Sequence, residues 1–150
     1  MGGTEVLVGR TELRVRYAEV DQMGTVYHGN YFAWFEVGRT ELMRSQGIIY
    51  RELEAAGYGL PVIDCGATFR SPARYDDVVA IESRLVHANR LRMELRYELR
   101  RVATGELLAT GFTRHVYMDQ HGKPRRLPAS SEVWRKLESL VNGAVNVGER

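Results

Sequence analysis

The amino-acid sequence predicts an α+β fold in which an antiparallel β-sheet wraps around one long central helix. Three observations favour this prediction. A strand-like segment lies near the start, one long run of aromatic and apolar residues at helical spacing follows it, and strand-like segments succeed one another from residue 60 to residue 118. An antiparallel sheet must cover its apolar face, and the long helix is the obvious cover.

Length and composition favour a single soluble domain. The chain has 150 residues, 44% hydrophobic and 27% charged, so we expect one domain over residues 1–150, with a core at about 11–141 and a flexible tail at 142–150. The net charge is only +2, which gives no argument for a nucleic-acid or membrane partner. The first ten residues lack the apolar core of a signal peptide, so we expect a cytoplasmic location.

The chain contains one cysteine, Cys65. This excludes a disulfide within the chain and a zinc site built from several thiolates, and we predict no metal. Cys65 lies in an apolar segment without an evident basic partner, so we interpret it as a small core residue rather than a nucleophile.

The first half of the chain reads as strand, loop and helix. Alternation through Leu13, Val15 and Tyr17 predicts a first strand, and the segment 19–30 reads as a loop. Asn30 is a candidate cap for the following helix, which Gly47 is predicted to end. One face of this helix carries Tyr31, Trp34, Phe35, Gly38 and Leu42, and the small Gly38 would let a neighbouring element pass close to it.

The second half reads as a meander of four strands. A short helical piece at 48–56 precedes strands predicted at 60–69, 78–86, 91–100 and 106–118, of which the third alternates strictly between apolar and charged residues. A final amphipathic helix is predicted around residues 133–140, with Gly143 onward as a loose tail. A sheet wrapped around one central helix is the hotdog arrangement. Its unpaired edge predicts a dimer, and further a dimer of dimers.

The segment 16–31 concentrates Asp, His, Tyr and Gly residues just before the long helix. The first N–H groups of a helix have no internal partners and lie at the positive end of its dipole, so they could polarise a thioester carbonyl. A carboxylate nearby could attack that carbonyl or activate water. Spacing alone leaves open that Asp21 is an ordinary turn residue.

The motif Asp21-x-x-Gly24, followed by Val26-Tyr27-His28-Gly29-Asn30-Tyr31, resembles the signature of the 4-hydroxybenzoyl-CoA thioesterase family, including its YbgC-like branch. Segments 59–62 and 72–77 resemble the family in the expected order, so the resemblance runs from about residue 13 to residue 118. It implies a hotdog enzyme that hydrolyses acyl-CoA thioesters without a metal or other cofactor, coenzyme A being part of the substrate.

The resemblance also implies roles for individual residues. Asp21 corresponds to the family's nucleophile or general base, and a backbone N–H near His28 to its oxyanion donor. The His28 side chain would assist, while Tyr17 and Tyr27 would orient the loop or the acyl group. For both tyrosines, packing in the core is the alternative. Gly29 departs from the family pattern, in which alanine is more usual.

Four arginines are candidates for the phosphate groups of coenzyme A: Arg70, Arg74, Arg90 and Arg92. The alternative is that they only solubilise the surface.

The sequence alone leaves two rival functions open. A hotdog hydratase or dehydratase would also use an acidic residue and a histidine, but the motifs of that class place a proline-containing loop between them, and this loop has none. A non-catalytic acyl-CoA-binding module would give Asp21 no chemical task. Fold alone does not decide between these functions.

Overall fold

The computed structural model describes residues 7–148, with side chains described for residues 8–140. Five antiparallel strands form one sheet in the order β1-β3-β4-β5-β2. The strands are β1 (Leu7–Arg14), β2 (Val62–Phe69), β3 (Val78–Ala88), β4 (Arg92–Arg101) and β5 (Leu107–Val116), and the helices are α1 (Gly29–Ser45), α2 (Tyr50–Ala55) and α3 (Glu132–Gly148). The predicted α+β architecture is confirmed.

Helix α1 packs on the sheet through its aromatic face. Phe35 stacks on Tyr97 of β4, with ring centroids 4.4 Å apart. Gly38 touches β3 so closely that a Cβ atom there would overlap the side chains of Ile81 and Ser83. The prediction that a neighbouring element passes close to Gly38 is therefore confirmed, and that element is β3.

The two ends of α1 differ in how well the sequence predicted them. Gly47 adopts a φ of +74° directly after the helix, as a terminating glycine should. The capping prediction for Asn30 is wrong, because the helix begins at Gly29 and His28 is its N-cap residue. The Asn30 side-chain amide instead donates to the Glu19 carbonyl oxygen at 2.9 Å, which joins the helix to the preceding loop.

Strand β1 ends sooner than its alternation predicts. It pairs with β3 from Leu7 to Arg14, and its partner strand begins only at Val78, opposite Arg14. The chain therefore leaves the sheet after Arg14 and forms a 3₁₀ turn over Tyr17–Glu19. Tyr17 is not a core residue, since its side chain is 79% exposed.

Strand β2 is an uncovered edge of the sheet. Helix α1 approaches β1 and β3 most closely and β4 less, so it covers little of β2 apart from the contact of Tyr31 with Phe69. Val62, Ile63 and Phe69 are 40–47% exposed as a result. The interpretation of Cys65 as a core residue is wrong for the same reason, because its thiol is exposed on this strand.

Helix α3 continues through Gly148, so the predicted tail at 142–150 is helical as far as residue 148. One glycine inside a helix costs only about 1 kcal/mol, and Gly143 therefore does not have to end it. Residues 149 and 150 lie outside the described part of the chain.

Candidate active site

A tight loop presents Asp21 at the entrance of α1. Val20 and Val26 form an isolated antiparallel bridge, and the Asp21 N–H donates to the Thr25 carbonyl at 2.9 Å. Gly24 closes the turn with a φ of +80°, a conformation that favours glycine. Asp21 Oδ1 accepts the Met23 N–H at 2.9 Å, whereas Oδ2 has no recorded partner in the described part of the chain. One carboxylate oxygen is thus fixed and the other is available.

Asp21 borders a cleft of about 500 Å³ between the loop, α1 and the end of β2. His28 and Tyr31 come from the entrance of α1, while Phe69 and Arg70 come from β2 and the residue after it. The Tyr31 ring lies 5.2 Å from that of Phe69, and the His28 ring 6.0 Å from it, measured between centroids. The cleft therefore combines an apolar aromatic wall with a carboxylate.

In the described part of the chain, two backbone donors at the start of α1 are unoccupied, and one of them belongs to His28, which lines the cleft. Within residues 7–148, the N–H groups of His28 and Gly29 have no recorded backbone acceptor, while the next two amides donate to Tyr27 and His28 carbonyls. These N–H groups belong to the N-terminus of a 17-residue helix, where the dipole favours negative charge. The oxyanion-donor role that the family resemblance implies for a backbone N–H near His28 stays a prediction.

Tyr27 lies over the start of α1. Its ring is 51% exposed and lies 4.6 Å from the His28 ring between centroids. A Cβ atom on Gly29 would come within 2.6 Å of Tyr27 Cε2. The glycine that departs from the family pattern thus makes room for the Tyr27 ring, and the alternative of Tyr27 as a core residue is wrong.

Tyr17 borders Asp21 from the opposite side. It lines a second depression together with Asp21, Gln22 and Tyr75, and its ring meets that of Tyr75 edge to face at 5.5 Å. Tyr17 is therefore placed beside the loop rather than inside the cleft with His28.

Glu19 is a buried carboxylate that sequence reasoning missed. Its Oε1 accepts the Arg16 N–H at 2.8 Å, and its Oε2 accepts the Trp34 indole N–H at 2.9 Å. Burial alone would raise the pKa of Glu19, but these hydrogen bonds and the Arg16 charge outweigh it and hold the pKa below its ordinary value. The Glu19 carbonyl also accepts the Tyr27 N–H at 2.9 Å, so this residue supports both ends of the Asp21 loop.

Tyr31 was predicted only as a packing residue, yet it also supports the cleft wall. Its hydroxyl accepts the Ala73 N–H at 3.2 Å, and burial raises its pKa. The Val26 N–H donates to the Ala73 carbonyl at 2.9 Å, so the backbone of Ala73 joins the loop to the helix. No sequence signal marks this role, because it depends on a backbone contact between distant segments.

The four candidate arginines do not lie together within one chain. Arg70 lines the cleft. Arg74 is exposed in the loop before β3, where its N–H donates to Asp77. Arg90 and Arg92 lie at the β3–β4 turn, at the end of the sheet occupied by Val62, whereas Phe69 and the cleft occupy the other end.

Among the described residues, no group of three or more His, Cys, Asp or Glu side chains is arranged to hold a metal ion. No helix in this part of the chain combines the length and apolar character needed to cross a bilayer.

The five-stranded sheet and the long helix packed on it define the hotdog class of fold. Residues 15–137 match the thioesterase-like superfamily, and the chain belongs to this superfamily.

Individual relatives agree with this assignment. YneP of Bacillus subtilis, which bears the name of an acyl-CoA thioesterase, is 34% identical over 85% of this chain and 92% of its own. The acyl-CoA thioester hydrolase YbgC of Escherichia coli is 33% identical over 51% of this chain and 57% of its own. The DHNA-CoA thioesterase of Staphylococcus aureus superimposes with a TM-score of 0.87 at 34% identity, covering 94% of this chain and 95% of that one. The predicted family and hotdog fold are confirmed, and the names of these relatives agree with the predicted thioester hydrolase.

Proposed function

We propose that this protein hydrolyses acyl-CoA thioesters to a carboxylic acid and free coenzyme A, with Asp21 as nucleophile or general base. The observation that carries the proposal is that an available Asp21 carboxylate oxygen borders the same cleft as His28, whose N–H, like that of the adjacent Gly29, meets no acceptor within residues 7–148. The relatives named as thioesterases support the reaction type.

The proposed reaction assigns one task to each of these groups. The thioester carbonyl oxygen accepts hydrogen bonds from the His28 and Gly29 N–H groups, which stabilise the charge that develops during attack; one such donor is worth roughly 100- to 1,000-fold in rate. Asp21 either removes a proton from the water that attacks the carbonyl carbon, or attacks that carbon itself to form an acyl-aspartyl anhydride. In the second route a water molecule then hydrolyses the anhydride, which releases the carboxylic acid and regenerates Asp21. The coenzyme A thiolate leaves, and His28, exposed beside the cleft, assists proton transfer.

The proposed enzyme acts as a homodimer paired along β2. An edge strand whose Val62 and Ile63 side chains are exposed offers both backbone and apolar groups to a second copy. Antiparallel pairing about a twofold axis brings the Arg90 and Arg92 end of one subunit toward the cleft of the other, where these arginines would meet coenzyme A phosphates beside Arg70. The single thiol supports the proposed cytoplasmic location.

Thiol release from a panel of short-chain, long-chain and aromatic acyl-CoAs tests the reaction. We expect Asp21→Asn to lower kcat by at least about 100-fold while the thermal unfolding midpoint is unchanged. Asp76→Asn is a matched control, because Asp76 is exposed outside the cleft and asparagine tolerates its positive φ of 70°.

Three outcomes separate this proposal from its rivals. Full activity of Asp21→Asn contradicts the catalytic assignment. Binding of acyl-CoA without thiol release indicates a binding module. A change in absorbance at an enoyl thioester without thiol release indicates a hydratase.

A further inference from the structure

The chain between β2 and β3, residues 70–77, forms one side of the cleft beside Asp21, and we call it the wall segment. Its first three residues line the cleft. The N–H groups of Arg70 and Ser71 both donate to the Leu108 carbonyl of β5, at 2.8 and 3.1 Å. The start of the wall segment is therefore fixed to the sheet by backbone hydrogen bonds.

Two successive peptide groups of the wall segment connect it with α1 and with the Asp21 loop. The Ala73 N–H, which shares a peptide group with the Pro72 carbonyl, donates to the Tyr31 hydroxyl at 3.2 Å. The Ala73 carbonyl, in the next peptide group, accepts the Val26 N–H at 2.9 Å. Ala73 is fully buried, and Val26 forms the bridge that closes the Asp21 loop. A shift of the Pro72–Ala73 peptide group would therefore displace the Asp21 loop as well.

Arg101, the last residue of β4, binds this peptide group from outside the cleft. Its Nη2 donates to the Pro72 carbonyl at 3.0 Å and to Glu106 Oε1 at 3.2 Å, and its Nη1 donates to Asp77 Oδ2. The Arg101 side chain is only 15% exposed, and the residues that line the cleft within positions 8–140 do not include it. Arg101 therefore contacts the wall segment rather than the cleft.

The groups around Arg101 make its contact with the wall segment strong and directional. Asp77 and Glu106 present two carboxylates to one guanidinium, and hydrogen bonds between charged groups are roughly twice as strong as neutral ones. Asp77 Oδ2 also accepts the Arg74 N–H at 2.8 Å. Hydrogen bonds from the Ser71 side chain and from Arg101 hold the pKa of Glu106 below its ordinary value. The planar guanidinium reaches three acceptors at once, whereas a lysine ammonium is a single point charge.

We propose that Arg101 is a positioning residue for thioester hydrolysis, and that by fixing the Pro72–Ala73 peptide group it holds the Asp21 loop in its reactive geometry. This inference rests on the proposed thioesterase function and adds to it a residue outside the cleft. Misplacement of a reacting group by about 1 Å can cost about 100-fold in rate. The Arg70 end of the wall segment is anchored separately on β5, so substrate affinity should depend on Arg101 less than the chemical step does.

Arg101→Gln and Arg101→Lys test the proposal, the second because it keeps the positive charge but not the planar fork. We expect each to lower kcat for thiol release from acyl-CoA by about 10- to 100-fold and to change KM by less than about 3-fold. Arg96→Gln is the control, because Arg96 lies on the same strand, is 57% exposed and pairs with Glu94. Arg101→Lys decides alone if Arg101→Gln fails to fold. An unchanged kcat in a folded Arg101 variant, or a change confined to KM, overturns the inference.

A double-variant cycle tests whether Arg101 acts through the Pro72–Ala73 peptide group. Tyr31→Phe removes the acceptor of the Ala73 N–H on the other side of that group. We expect Arg101→Gln to lower kcat by a factor at least about 3-fold smaller in the Tyr31→Phe background than in the wild type, because both changes release the same peptide group. Equal factors in the two backgrounds overturn the inference, since independent losses multiply. Absence of thiol release by the wild-type protein from every acyl-CoA tested would instead refute the proposed function itself.

Discussion

At the scale of single residues, the Glu19 carboxylate joins the 3₁₀ turn before the Asp21 loop to the helix after it. It does so through the Arg16 N–H and the Trp34 indole. Its depressed pKa means that Glu19 stabilises the folded protein above pH 4.5, the ordinary value, and that this contribution is lost as the pH falls through the folded-state pKa.

We expect Glu19→Gln to lower the free energy of unfolding at pH 7 by about 1–3 kcal/mol, because glutamine cannot accept both hydrogen bonds. The difference from the wild type should shrink below pH 4.5 as Glu19 becomes protonated. Denaturant unfolding at pH 7 and pH 3.5, at one protein concentration, measures both effects. Glu12→Gln on the exposed surface of β1 is the control, and an equal loss at both pH values would contradict the electrostatic explanation.

At the scale of elements, the contact between α1 and β3 depends on the absence of a side chain at Gly38. Replacing glycine by alanine inside a helix ordinarily stabilises it by about 1 kcal/mol. Here the added Cβ would overlap Ile81 and Ser83, both nearly or fully buried. We expect Gly38→Ala to destabilise the protein by about 1–3 kcal/mol, the usual cost of overpacking a core.

Gly29→Ala is the matched control for that measurement. Its Cβ would meet only the ring of the partly exposed Tyr27, which can move aside. Denaturant unfolding should therefore show a marked loss for Gly38→Ala and little change for Gly29→Ala. Equal effects would show that the approach of α1 to β3 is not what requires Gly38.

Periodicity predicted the elements well where each buries one face against a single neighbour. The alternation in β4 correctly placed Met93, Leu95, Tyr97 and Leu99 in the core. It failed for Tyr17 because the end of β1 is determined by where β3 begins, which local alternation does not encode. It failed for Cys65 because an apolar strand at the sheet edge has the same local pattern as one beneath the helix.

The residues of the candidate site were likewise only partly predictable from the sequence. The family resemblance led to Asp21 and His28, and the helix entrance gave a physical reason for an oxyanion donor there. Arg70, which was predicted as a coenzyme A contact, does line the cleft. Phe69 joins the cleft only through the folded sheet, and the role of Glu19 depends on the Trp34 indole, 15 residues further along the chain. Such contacts join residues whose positions in the sequence carry no shared pattern.

At the scale of the whole molecule, the uncovered β2 edge predicts assembly. Ile63→Lys adds a charge to this edge, and charges on edge strands oppose pairing. We expect sedimentation to show a dimer for the wild type and a monomer for Ile63→Lys, with thiol release from acyl-CoA reduced in proportion. Val8→Lys places the same charge on β1, the other edge of the sheet, where Val8 is 50% exposed, and should leave the dimer intact. A dimeric Ile63→Lys protein would refute pairing through β2.

The position of Cys65 also has a practical consequence for protein chemistry. It is the chain's one cysteine, and its thiol lies near the middle of β2. A fluorescent maleimide would therefore label each chain at one defined point on the proposed interface, and its labelling rate would report subunit dissociation. In dissociated subunits, the same thiol adds a background of one reactive group per chain to any assay that detects released coenzyme A with a thiol reagent.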